Sequence, residues 1–154
     1  MLKPYRVLDL TAGKADLGPM ILADLGAEVV KVEPPGGLPA REDALRFAAY
    51  NRNKRSVTLD LASADGRARF LELVAGADFL FEDAGPGEMT ARGLGWEQLR
   101  EVKPRLVYVA TTPFGQDGPY SGHAATDLTL AAMGGMMALN GDARCITSSG
   151  ASSG

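Results

Sequence analysis

Residues 6–41 read RVLDLTAGKADLGPMILADLGAEVVKVEPPGGLPAR, and the order of signals in this stretch decides the fold. A short β-rich run, Tyr5 to Leu10, meets a polar turn at Thr11 to Asp16. Pro19 suits the first turn of a helix, where its missing N–H is not needed. Met20, Ile21, Leu22 and Leu25 then supply an apolar helical face, and Gly26 a stop. A second apolar run, Ala27 to Glu33, follows after a link short enough for an α-to-β connection. Pro34 to Asp43 is punctuated by Pro and Gly and predicts a loop. Strand, helix and strand in this order require a crossover, which is the opening of a parallel sheet.

The alternation continues downstream. Asp43 to Ala49 predicts a helix and Arg55 to Leu61 a third strand. Ser63 is placed to cap the next helix, with Asp65 near its positive end and Phe70, Leu71, Val74 and Ala77 on one face. Ala77 to Glu82 predicts the fourth strand, Trp96 to Val102 a short helix ended before Pro104, and Arg105 to Thr111 the fifth strand. A loop from Thr112 to Ala125 follows, where ligands bind in such sheets, and then a helix from about Thr126 to Leu139. The expected fold is therefore α/β, a Rossmann-like parallel sheet with flanking helices. Residues 1–140 form one domain in this reading. From Gly141 the periodicity stops, and residues 141–154 are expected to be a flexible tail.

At 154 residues and 45% hydrophobic composition, the chain can bury a core of its own. A net charge of -3 gives no pull on nucleic acid, which needs many Lys and Arg contacts to phosphate. One Cys, Cys145, and one His, His123, cannot by themselves build a disulfide, a multi-Cys metal site or a histidine pair, so no metal is expected. Nothing nearby activates Cys145 as a thiolate. No apolar run is long enough to span a membrane and the start lacks a secretory h-region, so a cytoplasmic location is the default expectation.

No G-x-G-x-x-G follows the first strand and there is no P-loop, so an ordinary dinucleotide or NTP site is not expected. Arg52, Lys54 and Arg55 precede the third strand. They are either a solvated basic loop or an electropositive approach for phosphates, and the residues alone leave both open. Asp127 opens a helix, where a carboxylate is favourable for purely structural reasons.

Five phrases occur in an order and spacing that resemble the amino-terminal part of the family III CoA-transferases. They are LADLGAEVVKVEPPGG from Leu22, NRNKRSVTLDL from Asn51, GLGWEQL from Gly93, PRLVYVATTPFGQDGPY from Pro104 and TDLTLAAMGGMMALNGD from Thr126. The resemblance implies transfer of CoA between an acyl-CoA and a carboxylic acid, with CoA a substrate and no permanently bound cofactor. It favours the phosphate reading of Lys54 and Arg55. It also implies CoA-lining positions at Lys14 and Ala15, at Leu59, Asp60, Leu61 and Ala62, at Asp83, Ala84 and Gly85, and at Ala124, Ala125, Thr126 and Asp127. Thr126 stands where the racemase branch of the family carries a catalytic His, which disfavours racemisation. The family's Asn-Phe-(Arg or Gly)-Pro-Gly reads Asp83-Ala84-Gly85-Pro86-Gly87, and an Asp beside CoA phosphates adds like charge.

The nucleophilic Asp of the family falls just beyond Gly154, so no catalytic residue is assigned, and Asp142 lies too near Asp127 to replace it. The expectation is an amino-terminal piece, incomplete relative to the full family fold and inactive alone. It would work as a homodimer or with a complementing carboxyl-terminal region. CoA or nucleotide binding without catalysis, and an inert truncated product, are the alternatives.

Overall fold

The computed structural model describes residues 1–139. Five strands form one sheet in the order β3-β2-β1-β4-β5: β1 (Arg6–Asp9), β2 (Glu28–Glu33), β3 (Arg55–Thr58), β4 (Phe79–Glu82) and β5 (Val107–Ala110). All four pairings are parallel. The register sets Leu8 opposite Val30 and Leu80, and Glu33 opposite Thr58. Strand order reverses at β1, so β2 and β4 leave β1 on opposite sides and a crevice opens at their carboxyl ends. This is the α/β sheet the alternating pattern predicts.

Seven helices connect or follow the strands: α1 (Leu17–Asp24), α2 (Ala44–Asn51), α3 (Ala64–Ala75), α4 (Glu88–Ala91), α5 (Trp96–Val102), α6 (Asp127–Met133) and α7 (Met136–Leu139). Because side chains alternate across a strand, neighbouring residues feed different cores. Leu8 and Leu80 face a large cluster with Phe70, Val74, Leu94, Leu99 and Leu106, under α3 and α5. Val7 and Val29 face a smaller one with Ala23, Ala27, Phe79 and Phe81, under α1.

Local chemistry explains the element ends. Ser63 Oγ accepts the Gly66 N–H at 2.9 Å and caps α3, as its position predicts. Gly26 ends α1 with φ +97°, a conformation open to glycine at little cost. Asp43 caps α2 through the Arg46 N–H at 3.0 Å.

Four differences from the sequence reading have physical causes. First, α1 buries Pro19, Met20 and Ala23, while Ile21 and Leu25 stay exposed. The helix has apolar residues almost all round, so periodicity did not single out the contact face. Second, the helix expected from Thr126 to Leu139 is two helices parted at Gly134 and Gly135, the latter with φ +80°. Third, a 3-10 turn at Pro39–Glu42 and the short α4 carry no periodic signal at all. Fourth, β3 stops at Thr58, three residues short of the expected Leu61. The expected tail from Gly141, with Asp142 and Cys145, lies outside the described residues. Among those described, no helix is long and apolar enough to cross a membrane, and no group of three His, Cys, Asp or Glu could hold a metal.

Gly66 shows how tightly the segment after β3 is packed. A Cβ there would land on the Asp60 carbonyl, so the Leu59–Ala62 segment lies directly against the start of α3. Helix propensity alone makes Gly66→Ala stabilising by about 1 kcal/mol. The backbone clash should win, and the expected outcome is a loss of about 2 kcal/mol or more in urea unfolding.

Candidate functional site

Five polar side chains hold the floor of the site, and all come from elements around β1. Asp9 ends β1 and is fully buried. Lys31, in the middle of apolar β2, is 2% exposed and reaches Asp9 Oδ2 at 3.3 Å, Asp16 Oδ1 at 3.1 Å and the Thr11 carbonyl at 2.8 Å. Thr11 Oγ1 lies 2.6 Å from Asp9 Oδ1 and 2.5 Å from Asp16 Oδ1. Lys54 Nζ closes the cluster at 2.7 Å from Asp9 Oδ2 and 3.1 Å from Asn51 Oδ1. Two ammonium groups thus meet two carboxylates in a buried, charge-balanced group. Burial by itself raises the Asp16 carboxyl, but the Thr11 hydroxyl, Lys31 and Lys54 outweigh it and hold it below its usual value. Burial lowers the Lys54 ammonium, with Lys31 adding to the effect and Asp9 opposing it.

Above this floor, the turn between β1 and α1 wraps the carboxylate of the residue that follows β4. Asp83 accepts the Ala12 N–H at 2.8 and 2.9 Å, the Lys14 N–H at 2.9 Å and the Ala15 N–H at 3.2 Å. The ends of β1 and β4 are pinned together at the strand-order reversal.

The crevice there is a cleft of about 530 Å³. Leu10, Ala12 and Lys14 line one wall, Val32, Glu33 and Pro34 another, and Leu59 to Ala62 a third. Glu82 to Gly85, with Leu38, Glu88, Met89 and Arg92, complete it. A second cleft of about 630 Å³ lies past β5, between Thr111 to Pro113 and the segment Ser121 to Asp127. Lys14, Ala84 and Gly85 line both, so the two clefts adjoin. These volumes fall in the range of small-molecule sites.

The carboxylates of the first cleft are committed to partners within the chain. Glu33 takes two bonds from Arg41 at 2.7 and 2.6 Å and one from Ser56 Oγ at 2.7 Å. The Arg41 fork, helped by Ser56 and the Leu38 N–H, lowers its pKa to about 2 against the pull of burial. Glu82 receives the Ala84 N–H at 2.7 Å and the Tyr108 hydroxyl at 3.1 Å. Burial, with Asp83 and Glu88 nearby, still pushes the Glu82 carboxyl above its usual value. Asp60 bonds the Ala62 N–H at 3.0 Å, and Glu88 pairs with Arg92 at 3.3 Å.

The candidate residues read from sequence divide accordingly. Lys14, Leu59, Asp60, Leu61, Ala62, Asp83, Ala84 and Gly85 come together in the first cleft. Ala124, Ala125, Thr126 and Asp127 line the second. Ala15 acts through its N–H on Asp83 and lines neither. Lys54 and Arg55 do not reach the clefts. The Lys54 side chain is 1% exposed and faces Asp9, and Arg55, at the amino end of edge strand β3, pairs with Glu28 at 3.1 Å. A basic cluster in sequence therefore splits into one buried structural lysine and one surface pair. Thr126 caps α6 through a reciprocal pair of bonds with Thr129.

Sequence reasoning missed Leu10, Val32, Glu33, Glu82, Met89 and Arg92 as cleft residues. A signal existed for two of them: Glu33 and Glu82 are acids ending apolar strands, the place where a parallel sheet presents side chains to ligands. Arg92 had none, because its position depends on α4.

A five-stranded parallel sheet with its cleft at the strand-order reversal defines an α/β protein with the ligand crevice of a doubly wound sheet. The sequence matches the profile of CoA-transferase family III over residues 2–149, and the chain belongs to that family. It is 40% identical over 144 residues to acetyl-CoA:oxalate CoA-transferase of Acetobacter aceti, covering 88% of this chain and 37% of that protein. It is 41% identical over 152 residues to succinyl-CoA–D-citramalate CoA-transferase of Chloroflexus aurantiacus, covering 91% and 37%. A crystal structure of Rv3272 from Mycobacterium tuberculosis superposes with a TM-score of 0.80 at 42% identity, over 88% of this chain and 40% of that one. The chain thus spans about 37% of the length of these two curated relatives and matches an amino-terminal part.

Two outcomes are expected from the site's electrostatics. Lys31→Met leaves Asp9 and Asp16 short of a counter-charge in the interior and should cost about 3–5 kcal/mol in urea unfolding. Arg55→Ala, which breaks only an exposed pair, should change stability by no more than about 0.5 kcal/mol. Glu33 titrates at about 2 when folded, against an ordinary value of 4.5, so the unfolded chain takes up the proton first. Its stabilising contribution is therefore complete above pH 4.5 and is lost as pH falls towards about 2. Acid titration of the melting temperature should be flatter over this window in Glu33→Gln than in the unmodified chain.

Proposed function

We infer that these residues form the CoA-binding half of an enzyme that moves CoA between an acyl-CoA and a carboxylic acid. The observation that supports this most is the convergence on one cleft of Lys14, Leu59 to Ala62 and Asp83 to Gly85, positions far apart in sequence. The adjoining cleft at Ala124 to Asp127 gives a long ligand a continuous path from the carboxyl ends of the central strands to the start of α6. Leu10, Val32, Leu59 and Leu61 offer apolar surface at the carboxyl ends of the strands, and Lys14 and Arg92 are its cations.

The chemistry implied by the family is covalent. A carboxylate attacks the acyl thioester and expels the CoA thiolate. That thiolate opens the resulting anhydride at the enzyme carbonyl, releasing the first acid and leaving an enzyme thioester. A second acid then displaces the thiolate to form a new anhydride, whose acyl group the thiolate takes, freeing the enzyme carboxylate. Such a carboxylate must be free to attack. Glu33, Asp60, Glu82, Asp83 and Glu88 are all engaged within the first cleft. The engaged carboxylates support a nucleophile supplied from outside this first cleft. Binding of CoA without chemistry is the second reading, and the same engaged carboxylates favour it. Leu128, Met133, Met136 and Leu139 on α6 and α7 are exposed apolar residues that a second copy or a carboxyl-terminal region would cover.

Calorimetry with CoA tests the binding reading. Saturable heat is expected from the unmodified chain. Ala62→Trp, which fills the cleft, should weaken affinity about tenfold or more, near 1.4 kcal/mol. Arg55→Ala should leave it unchanged. No heat from the unmodified, folded chain would end this reading. Acyl exchange with a labelled acid then separates the two alternatives, because only the enzyme reading expects turnover when a carboxyl-terminal region is supplied.

A further inference from the structure

Three backbone N–H groups, of Ala12, Lys14 and Ala15, converge on one carboxylate, that of Asp83, at 2.8 to 3.2 Å. Convergent N–H groups of this kind are how a tight turn ordinarily holds a phosphate. Here the turn follows the first strand of a Rossmann-like sheet, the place where a dinucleotide's pyrophosphate sits. Asp83 lies 68 to 71 residues further along the chain, so this is no local turn satisfying itself. The cradle opens on the ligand cleft, since Ala12, Lys14 and Asp83 all line it. The Lys14 side chain is exposed at its rim and makes no salt bridge among the described residues.

We propose that Asp83 is a specificity determinant: its carboxylate fills the anion cradle of the β1–α1 turn from within the chain, so the site rejects ligands that would place a phosphate there. A phosphate approaching the cradle meets both an occupied set of donors and the like charge of Asp83 itself. Nucleotides bound in the ordinary dinucleotide manner are excluded, whereas a CoA whose phosphates lie elsewhere along the cleft is tolerated. This deepens the CoA-binding reading, but the cradle is tested without CoA.

Inorganic pyrophosphate is the probe. The unmodified chain should show no saturable amide shift at Ala12, Lys14 or Ala15 up to about 10 mM pyrophosphate, whereas Asp83→Ala should bind at least about tenfold more tightly, with shifts at those three amides. Pyrophosphate should also raise the melting temperature of Asp83→Ala more than KCl at matched ionic strength, and leave the unmodified chain unmoved. This second readout holds even if the variant is largely unfolded without ligand, because binding to the folded form draws it back. Asp83→Asn, which still fills the cradle, should gain little. A merely structural aspartate predicts loss of stability with no gain of anion binding. Pyrophosphate binding at these amides in the unmodified chain, or a variant neither shifted nor rescued by pyrophosphate, would overturn the proposal. Failure of CoA to bind would leave this outcome untouched.

Discussion

The buried group of Asp9, Asp16, Lys31 and Lys54 is the constraint on which the rest of the structure hangs. Four charges in a dry interior are tolerable only because the signs balance and the Thr11 hydroxyl and carbonyl take up remaining bonds. Each member sits on a different piece of chain: Asp9 at the end of β1, Asp16 just before α1, Lys31 within β2 and Lys54 at the approach to β3. Satisfying the charges therefore sets where these elements meet. An apolar replacement of the whole group could match its stability. It would not fix the β1–α1 turn with the same directionality, because hydrophobic contact has none.

That directionality carries forward to the cleft. With Thr11 and Asp16 held from below, the intervening Ala12, Lys14 and Ala15 N–H groups point at Asp83. Asp83 in turn joins β4 to β1 across the point where strand order reverses. The same economy recurs at Glu33, whose bonds to Arg41 and Ser56 tie the Pro34–Arg41 loop and β3 to the end of β2. The cleft is thus walled by carboxylates already engaged within the chain, Glu33 and Glu88 by arginines and Asp60, Glu82 and Asp83 by neutral donors. Apolar surface and the Lys14 ammonium, which makes no salt bridge among the described residues, are left for a ligand.

Much of the fold was legible because its signals are local. Alternating apolar runs located all five strands, Ser63 announced its helix, and Gly26 ended another. Short elements without a period, such as the Pro39–Glu42 turn and α4, were invisible. The site was legible by resemblance rather than by physics. Leu59 to Ala62 and Asp83 to Gly85 have no feature that marks a ligand site until the sheet brings them face to face. The basic run at Arg52 to Arg55 left two readings open for a related reason: charge in sequence says nothing of direction. Lys54 turns inward to Asp9, Arg52 turns to Asp24 at 2.6 Å, and Arg55 turns to Glu28.

Sequence by itself determined the class of fold, the parallel sheet and the family, because periodicity, turn residues and motif order are properties of neighbouring residues. Only tertiary structure decided which charges are spent. Asp9 and Lys54 are 45 residues apart, and Asp83 is 71 from Ala12. Whether such groups bind a ligand or one another depends on which strands lie side by side, and strand order is a long-range outcome of packing both faces of the sheet at once.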